Sequence, residues 1–300
     1  MSVALSTPSA ARTWSAWLEL TKPNILLLVM FTGLPALLLA ADGLPSARVF
    51  WGAAIGLGLS AASAAAFNHY FDRDIDAIMV RTRTRPLPTG RISPPMAAAF
   101  GLALAWLSWT VLTVACNPLA GMLAMVNIFY YAIVYTVWLK RRTPQNIVIG
   151  GGAGASAPII AWAAVTGQVE LPALLMAGIV FLWTPPHFWA LSLYRRDDYQ
   201  RAGIPMLPVT HGEPETRRQI LLYSCVLVPV TIAVGPFAGL GLLYMSAAAV
   251  LGIIFLIGAV RLYRQPSTPA AVHLFRYSIL YLFVLFLVMS VDAWMRLGSA

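Results

Sequence analysis

The sequence predicts an all-α polytopic membrane protein, with nine transmembrane helices arranged as two four-helix repeats plus a ninth helix around a central cavity. Three observations carry that expectation. Hydrophobic residues make up 59% of the 300, charged residues only 10%, and mean hydropathy is +0.76, whereas soluble domains carry about a quarter charged residues. Nine apolar runs, near 24–41, 49–70, 95–115, 118–139, 146–166, 171–193, 219–237, 239–260 and 274–295, approach or exceed the roughly 20 residues a helix needs to cross about 30 Å of hydrocarbon. Neither strict alternation nor short segments mark a barrel, so helices are the spanning structure. With the N-terminus cytoplasmic, 18 of the 20 Lys and Arg residues fall on that side and only Arg48 and Arg296 opposite, a positive-inside bias that supports the odd number of spans. The net charge of +9 is read as topology and attraction to anionic lipid, not as a nucleic-acid footprint.

Residues 1–20 read as an N-terminal cytoplasmic tail and 21–300 as a single intramembrane domain. Residues 1–11 are rich in Ser and Ala and read as disordered, without the basic segment and short apolar core of a cleaved signal peptide. Trp14 and Trp17 suit an interfacial turn. Pro23 suits the first turn of the first span and leaves Lys22 at the cytoplasmic mouth, either snorkelling to headgroups or functional. The second run, through Gly56, Gly58 and Ser60 to Ala66, is made of small residues that let membrane helices approach closely, which puts it inside the bundle.

That run ends in Asn68-His69-Tyr70-Phe71-Asp72-Arg73-Asp74-Ile75-Asp76. At about 100° per residue, Asn68, Asp72 and Asp76 fall within roughly 80° on one face and Asp74 points away. Stacked carboxylates repel one another and meet the negative pole of their own helix. A bound cation relieves both problems; pairing with Arg73, Arg81 and Arg83 at a solvated helix end is the competing explanation. Asp74 is expected to bond to an arginine. His69 turns about 100° from Asn68, so it is expected to reach a substrate only from the side. The loop from Arg81 to Arg91, broken by prolines and Gly90, sets arginines beside the acids, a combination suited to a metal–polyanion complex.

The third and fourth spans join at Cys116-Asn117-Pro118, and the fourth ends in Lys140, Arg141 and Arg142, where cations suit the helix dipole. Gly150, Gly151, Gly152 and Gly154 open the fifth span; without a preceding strand and a Gly-Lys-Ser/Thr ending they are not a phosphate loop. Close packing, or access for a large flat ligand, explains them. The sixth span reads as broken or kinked at Pro185 and Pro186. There His187 is either bonded to a freed carbonyl or functional, as intramembrane ionisable residues are by default. Acids and arginines, Arg195 to Arg201, follow that span as they follow the second, and this placement is the origin of the two-repeat expectation. Cys116 and Cys225 read as packing residues, His211 and His273 as loop residues, and the last three spans carry little chemistry.

The Asn-x-x-x-Asp-x-x-x-Asp pattern at 68–76 resembles the first signature of the intramembrane prenyltransferases of the UbiA superfamily. Asp72-Arg73-Asp74-Ile75-Asp76 with Met79, Arg81-Thr82 and Arg85-Pro86, then Leu139-Lys140-Arg141, Asn146-Ile147-Val148-Ile149-Gly150-Gly151, Trp183-Thr184-Pro185-Pro186-His187-Phe188-Trp189 and Ala202-Gly203-Ile204-Pro205-Met206-Leu207-Pro208, are similar to its heme O synthase branch. The resemblance implies farnesyl transfer from farnesyl diphosphate to a vinyl group of heme B. Hydroxyl is added from water, giving heme O and diphosphate through Mg²⁺-assisted ionisation to an allylic cation. It implies Asn68, Asp72, Asp76 and Asp198 as metal ligands, with Asp72, Asp76 and His187 catalytic. It assigns the diphosphate to Lys22, Arg81, Arg85, Lys140 and Arg195, Arg85 and Lys140 foremost, and heme to His187. The chemistry agrees: Mg²⁺ takes one or two carboxylates plus waters and phosphate oxygens, and a departing diphosphate leaves about three negative charges for metal and arginines to stabilise. The farnesyl tail is expected between helices, shielded from water.

One departure is visible. The superfamily carries a second Asp-x-x-x-Asp signature, but here Ala202 stands four residues after Asp198 and Arg201 four after Asp197, which leaves the number of metals open, and Asp197 as ligand or arginine partner. The implied partners are the two substrates and membrane lipids, with a downstream heme A synthase or terminal oxidase assembly as the candidate protein partner and no nucleic acid. The implied location is the bacterial inner membrane, N-terminus cytoplasmic, C-terminus external, with the site's mouth on the cytoplasmic side. Two rivals remain: a related prenyltransferase for a quinone or chlorophyll-type acceptor, and a secondary transporter, whose ionisable cluster would sit nearer the midplane.

Overall fold

Backbone N–H and C=O groups in hydrocarbon have no water to bond, so each apolar run closes its hydrogen bonds internally as a helix. The computed structural model describes residues 10–297, with side chains from 14 to 295. A short α1 (Ala10–Leu20) precedes α2 (Pro23–Ala40) and α3 (Ala47–Phe71). Then come α4 (Arg73–Ile78), α5 (Pro94–Ala115), α6 (Pro118–Phe129), α7 (Asn146–Thr166) and α8 (Leu171–Tyr194). Two short helices, α9 (Arg196–Arg201) and α10 (Leu207–Thr210), lead to α11 (Gly212–Phe237), α12 (Leu242–Arg264) and α13 (Thr268–Leu297). α6 runs on into a π-helix, Tyr130–Leu139, and spans together with it. Among the described residues, nine helices are long and apolar enough to cross a membrane, as expected.

The seventh and ninth begin earlier than their apolar runs, at Gly212 and Thr268, because the helices project past the hydrocarbon. Glu213–Arg217 and Glu215–Arg218 pairs support those polar first turns of α11. His273 consequently lies on α13, not in a loop, while His211 does follow α10 outside a helix.

The repeat is visible in the packing. α3 packs on α5 as α8 packs on α11, and α5 on α6 as α11 on α12; α2 lies against α7, and α13 closes the ring against α12, α8 and α2. Each central helix, α3 and α8, is followed by a six-residue helix, α4 and α9. α3, α7 and α8 are the inner helices, with 56%, 67% and 56% of their spanning windows buried against 22–39% for the others. The outer helices present their large side chains, among them Trp106, Val250 and Ile257, to the lipid.

Small residues make the α3–α5 contact. A Cβ at Gly52 would stand 2.4 Å from Ala115 Cβ, and two serines cross the gap: Ser63 Oγ donates to Gly101 O at 2.8 Å and Ser108 Oγ to Gly56 O at 2.7 Å. At the opposite end from the acids, Asn117 caps α6 by accepting from Ala120 N and ties it to α7 by donating to Ala163 O at 2.7 Å. Asp292, on the same side, accepts from Gly241 N at 2.6 Å before α12.

Two expectations are corrected. The segment read as a tail includes α1, whose Ala16 and Leu20 are fully buried against Leu87, Ile92 and Ala97. Trp17 there meets Phe100 edge-on at 5.0 Å, while Trp14 is exposed. Ala10 and Ala11 are thus helical; the disorder expected of 1–9 lies outside the described residues. The sixth span is not broken: Pro185 and Pro186 sit inside a continuous α8. The missing proline N–H groups leave Phe181 O and Leu182 O without their usual helical donors, while the stretch is tied to α13 by Trp183 Nε1 donating to Ser278 O at 2.7 Å.

Gly52→Ala is expected to destabilise the protein by about 1–3 kcal/mol, since neither Cβ can rotate away. Gly154→Ala, with nothing within 4 Å of the added carbon inside α7, is expected to raise stability by about 0.5–1 kcal/mol. Thermal unfolding in detergent separates the two.

Candidate active site

The acidic face survives a change of helix. At Asp72 the backbone leaves the α geometry (φ −90°, ψ 3°), yet Asp72 N still bonds Asn68 O at 2.9 Å and Asp76 N bonds Asp72 O at 2.7 Å. Asn68, Asp72 and Asp76 are therefore buried together, at 3%, 0% and 2% exposure, whereas the Asp74 side chain is 62% exposed.

Each buried acid meets a cation from elsewhere in the chain. Asn68 Nδ2 donates to Asp72 Oδ2 at 2.8 Å and to Thr136 Oγ1 at 3.1 Å. Lys22 Nζ donates to Asn68 Oδ1, and Lys140 Nζ to Asp72 Oδ2. Arg85 Nη1 donates to both oxygens of Asp76 at 2.8 Å. Two carboxylates thus face three cations, and burial, ahead of the charges of Arg85 and Lys140, pushes the Lys22 ammonium down to about 7. Asp72 Oδ1 is buried with no hydrogen bond.

Local structure delivers these groups. Lys22 takes a left-handed conformation (φ 50°) just before Pro23. Arg85 sits in a loop folded by successive turns, Arg85 N to Thr82 O at 3.0 Å and Thr89 N to Arg85 O at 3.2 Å, and Thr82 Oγ1 bonds back to Asp76 O. Lys140 closes the π-helix, its N–H bonding Tyr135 O five residues back, and Thr136 Oγ1 donates to Tyr131 O at 2.8 Å. The wider turn and Thr136 were not foreseen from sequence; hydrophobicity carries no mark of a π register.

The competing pairing with Arg73, Arg81 and Arg83 does not occur. Arg73 donates to Tyr70 O at 2.7 Å and lies over the Tyr70 ring. Asp74, as expected, bonds an arginine, Arg141, by two contacts of 2.7 and 2.8 Å, and these hydrogen bonds hold its carboxyl below the ordinary value.

The second half approaches from α9. Asp198, 7% exposed, accepts from Val80 N at 3.0 Å and from Arg201 Nη2 at 3.3 Å, both through Oδ1. Below this clasp Ile75 and Met79 pack with Tyr199, Ile204 and Met206. Arg81 and Arg195 lie beside the Tyr199 hydroxyl, Arg195 also over the Tyr194 ring at 5.7 Å, and Asp197 is exposed. Among the described residues no three His, Cys, Asp or Glu side chains converge on one point. The donor set fits a hard cation: carboxylate and amide oxygens share one buried face, and Asp72 Oδ1 makes no hydrogen bond, with Arg141 Nη2 at 4.0 Å.

Two cavities adjoin the cluster. One, of ≈ 60 Å³, lies among Lys22, Ser60, Ala61, Ala64, Ala65 and Asn127; the other, of ≈ 220 Å³, among Tyr135, Gly150, Gly151, Trp183, Thr184, His187 and Phe188; Ile25, Val29, Tyr131 and Gly154 line both. Of the two explanations offered for the glycines, close packing holds at Gly150, where a Cβ would meet Tyr135 at 2.2 Å, while Gly154 has open space around it. His187 is held between the rings of Trp183 and Phe275, at 4.3 and 4.7 Å. Its Nδ1 pairs with Ser278 Oγ at 2.7 Å, not with a carbonyl freed by proline. Since Ser278 Oγ gives its one proton to Phe275 O at 2.6 Å, the network assigns the ring proton to Nδ1 and leaves the Nε2 lone pair free.

The model of the UbiA prenyltransferase family matches residues 29–288. The chain belongs to the UbiA prenyltransferase family. Its similarity to curated members runs almost end to end. It is 49% identical over 284 residues to the protoheme IX farnesyltransferase of Azorhizobium caulinodans, covering 93% of this chain and 92% of that one. With the enzyme of that name from Azotobacter vinelandii it shares 47% over 298 residues, covering 99% of each. Solved structures share the UbiA fold: a digeranylgeranylglyceryl phosphate synthase at TM-score 0.79 and 18% identity, covering 94% of this chain and 98% of that one, and a UbiA homolog from Archaeoglobus fulgidus bound to DMAPP and Mg²⁺ at TM-score 0.62 and 19% identity, covering 92% and 99%.

Asp74→Asn is expected to lower stability at pH 7 by less than about 1 kcal/mol, an exposed pair being screened by solvent. A lowered carboxyl value stabilises the fold above the unfolded value and loses that contribution as pH falls through the folded one. The difference from the unsubstituted protein therefore vanishes below the carboxylate range, as unfolding curves at pH 7 and pH 3 will show.

Proposed function

We propose that this chain transfers the farnesyl group of farnesyl diphosphate to a vinyl group of heme B, giving heme O and diphosphate. The observation that carries the reading is the buried Asn68–Asp72–Asp76 face with its excess of cations, one of which, Lys22, lines a cavity that shares Ile25, Val29, Tyr131 and Gly154 with the aromatic-walled cavity of His187. Near-full-length similarity to protoheme IX farnesyltransferases supports the choice of both substrates. Bond for bond, the allylic C–O bond breaks and its electron pair leaves with the diphosphate. The vinyl π-electrons attack the farnesyl carbon, and water adds to the resulting cation beside the porphyrin, releasing one proton.

Asn68, Asp72 and Asp76 would hold Mg²⁺, which when bound supplies charge stabilisation to the leaving diphosphate. Lys22, Arg85 and Lys140 turn from the acids to the phosphate oxygens, with Arg81 and Arg195 at the outer rim. Asp198 holds the loop that carries Arg85, and its Oδ2 remains available to a metal. The cavity walls exclude water while the allylic cation exists, and the bare Nε2 of His187 faces the acceptor. The same reading sets the mouth at the cytoplasmic side of a bacterial cell membrane, N-terminus inside and C-terminus outside, with a later heme-modifying enzyme or oxidase assembly as the recipient of product.

Membranes containing the protein, farnesyl diphosphate, Mg²⁺ and heme B are expected to yield farnesylated heme by mass. Asp72→Asn and Asp76→Asn each lower that yield at least about 100-fold, a loss on the scale of one preorganised charge. Product formed from 4-hydroxybenzoate and not from heme B would transfer the reading to a quinone precursor; full yield from both variants would remove the metal site.

A further inference from the structure

His69 has no part in the reading above, and the side-on placement expected from sequence understates its position. At about 100° per residue it falls only about 20° from Asp76 and 60° from Asp72 around the helix axis. The ring is 1% exposed, and neither Nδ1 nor Nε2 has a hydrogen-bond partner. Asn68, its neighbour in the chain, bonds both Asp72 and Lys22, so His69 is set in the helix turn that carries the cluster.

An imidazole always carries at least one N–H, and a buried polar group without a partner is rare in a folded protein. The acceptors around His69 are already taken: Asp76 by Arg85, Asp72 Oδ2 by Lys140 and Asn68, and Asn68 Oδ1 by Lys22. Lysine and arginine can only donate. Asp72 Oδ1 is also without a hydrogen bond, with Arg141 Nη2 at 4.0 Å, so the two orphans do not satisfy each other. A buried donor without an acceptor, among cations that outnumber the acids, is the complement of a bound oxyanion.

We infer that His69 donates a ring N–H to a diphosphate oxygen of the prenyl donor, between the three cations. This rests on the prenyl-diphosphate reading of the site. The side chain is a substrate-binding group whose hydrogen bond strengthens as charge moves onto the departing diphosphate.

The test uses the full-length protein in detergent with Mg²⁺ and inorganic pyrophosphate as probe, read by calorimetry, with a heme B absorbance titration alongside. His69→Phe is expected to weaken pyrophosphate binding about tenfold, a loss equivalent to one hydrogen bond to a charged group, and to leave heme binding unchanged. His69→Gln or His69→Asn, which keep an N–H at the reach of Nε2 or Nδ1, restores binding to within about threefold. The inference is overturned if His69→Phe binds within twofold of the unsubstituted protein, if Phe, Gln and Asn variants all lose equally, or if heme binding falls by the same factor. Failure of the unsubstituted protein to bind pyrophosphate would instead overturn the donor reading itself, and this inference with it.

Discussion

Two carboxylates and the asparagine beside them, buried at the end of a membrane helix, each meet a cation from another part of the chain, and without those cations the buried charges would be uncompensated. Lys22 comes from the residue before α2, Arg85 from the loop after α4, and Lys140 from the end of the π-helix. Removing one partner from such a pair leaves an uncompensated charge in low dielectric, a loss of about 3–5 kcal/mol. The start of α2 and the ends of α3 and the α6–π span are thereby tied to one point. Three positive groups on two negative ones is also an unfinished balance. The surplus, and the depressed Lys22, are what a polyanion accompanied by a divalent cation corrects.

The two halves of the fold do not contribute alike. In the first half the acids face inward and take cations. In the second, Asp198 spends an oxygen on the backbone N–H of Val80, where α4 has ended and the chain turns into the arginine loop. The clasp and the apolar cluster of Ile75, Met79, Tyr199, Ile204 and Met206 fix that loop, and with it Arg85. A superfamily acid is replaced here by Ala202, and the remaining one is used to hold the other half in place.

Much of this was legible in the sequence, and the exceptions have physical reasons. Nine spans follow from the length of apolar runs, because hydrocarbon tolerates little else. The shared face of Asn68, Asp72 and Asp76 follows from helical spacing, and it holds even though the helix changes at Asp72. Arg85 and Lys140 were the favoured phosphate residues, and both stand on the acids. Which cation meets which acid was not legible, since that depends on the π-helix and on a folded loop. Pro185 and Pro186 suggested a break or kink, yet α8 runs on through both, tied there to α13 by Trp183. α1 was missed because its anchors, Ala16 and Leu20, are too few to mark a buried helix. Ser278 carries no motif; its part in fixing the His187 proton appears only when α13 packs against α8.

The two cavities bear on how the substrates of the proposed reaction would meet. The smaller lies along α3, walled by Ser60, Ala61, Ala64 and Ala65 beside Lys22. The larger lies between α7 and α8, walled by rings and by glycine backbone, with His187 on its lining. Ile25, Val29, Tyr131 and Gly154 belong to both, so under the proposed reaction the two substrates would meet along this shared boundary. Gly154 is open where Gly150 is packed, which leaves the boundary unobstructed on the α7 side. Ile25, Val29 and Gly154 are apolar, and such a lining would keep water from an allylic cation until it is captured.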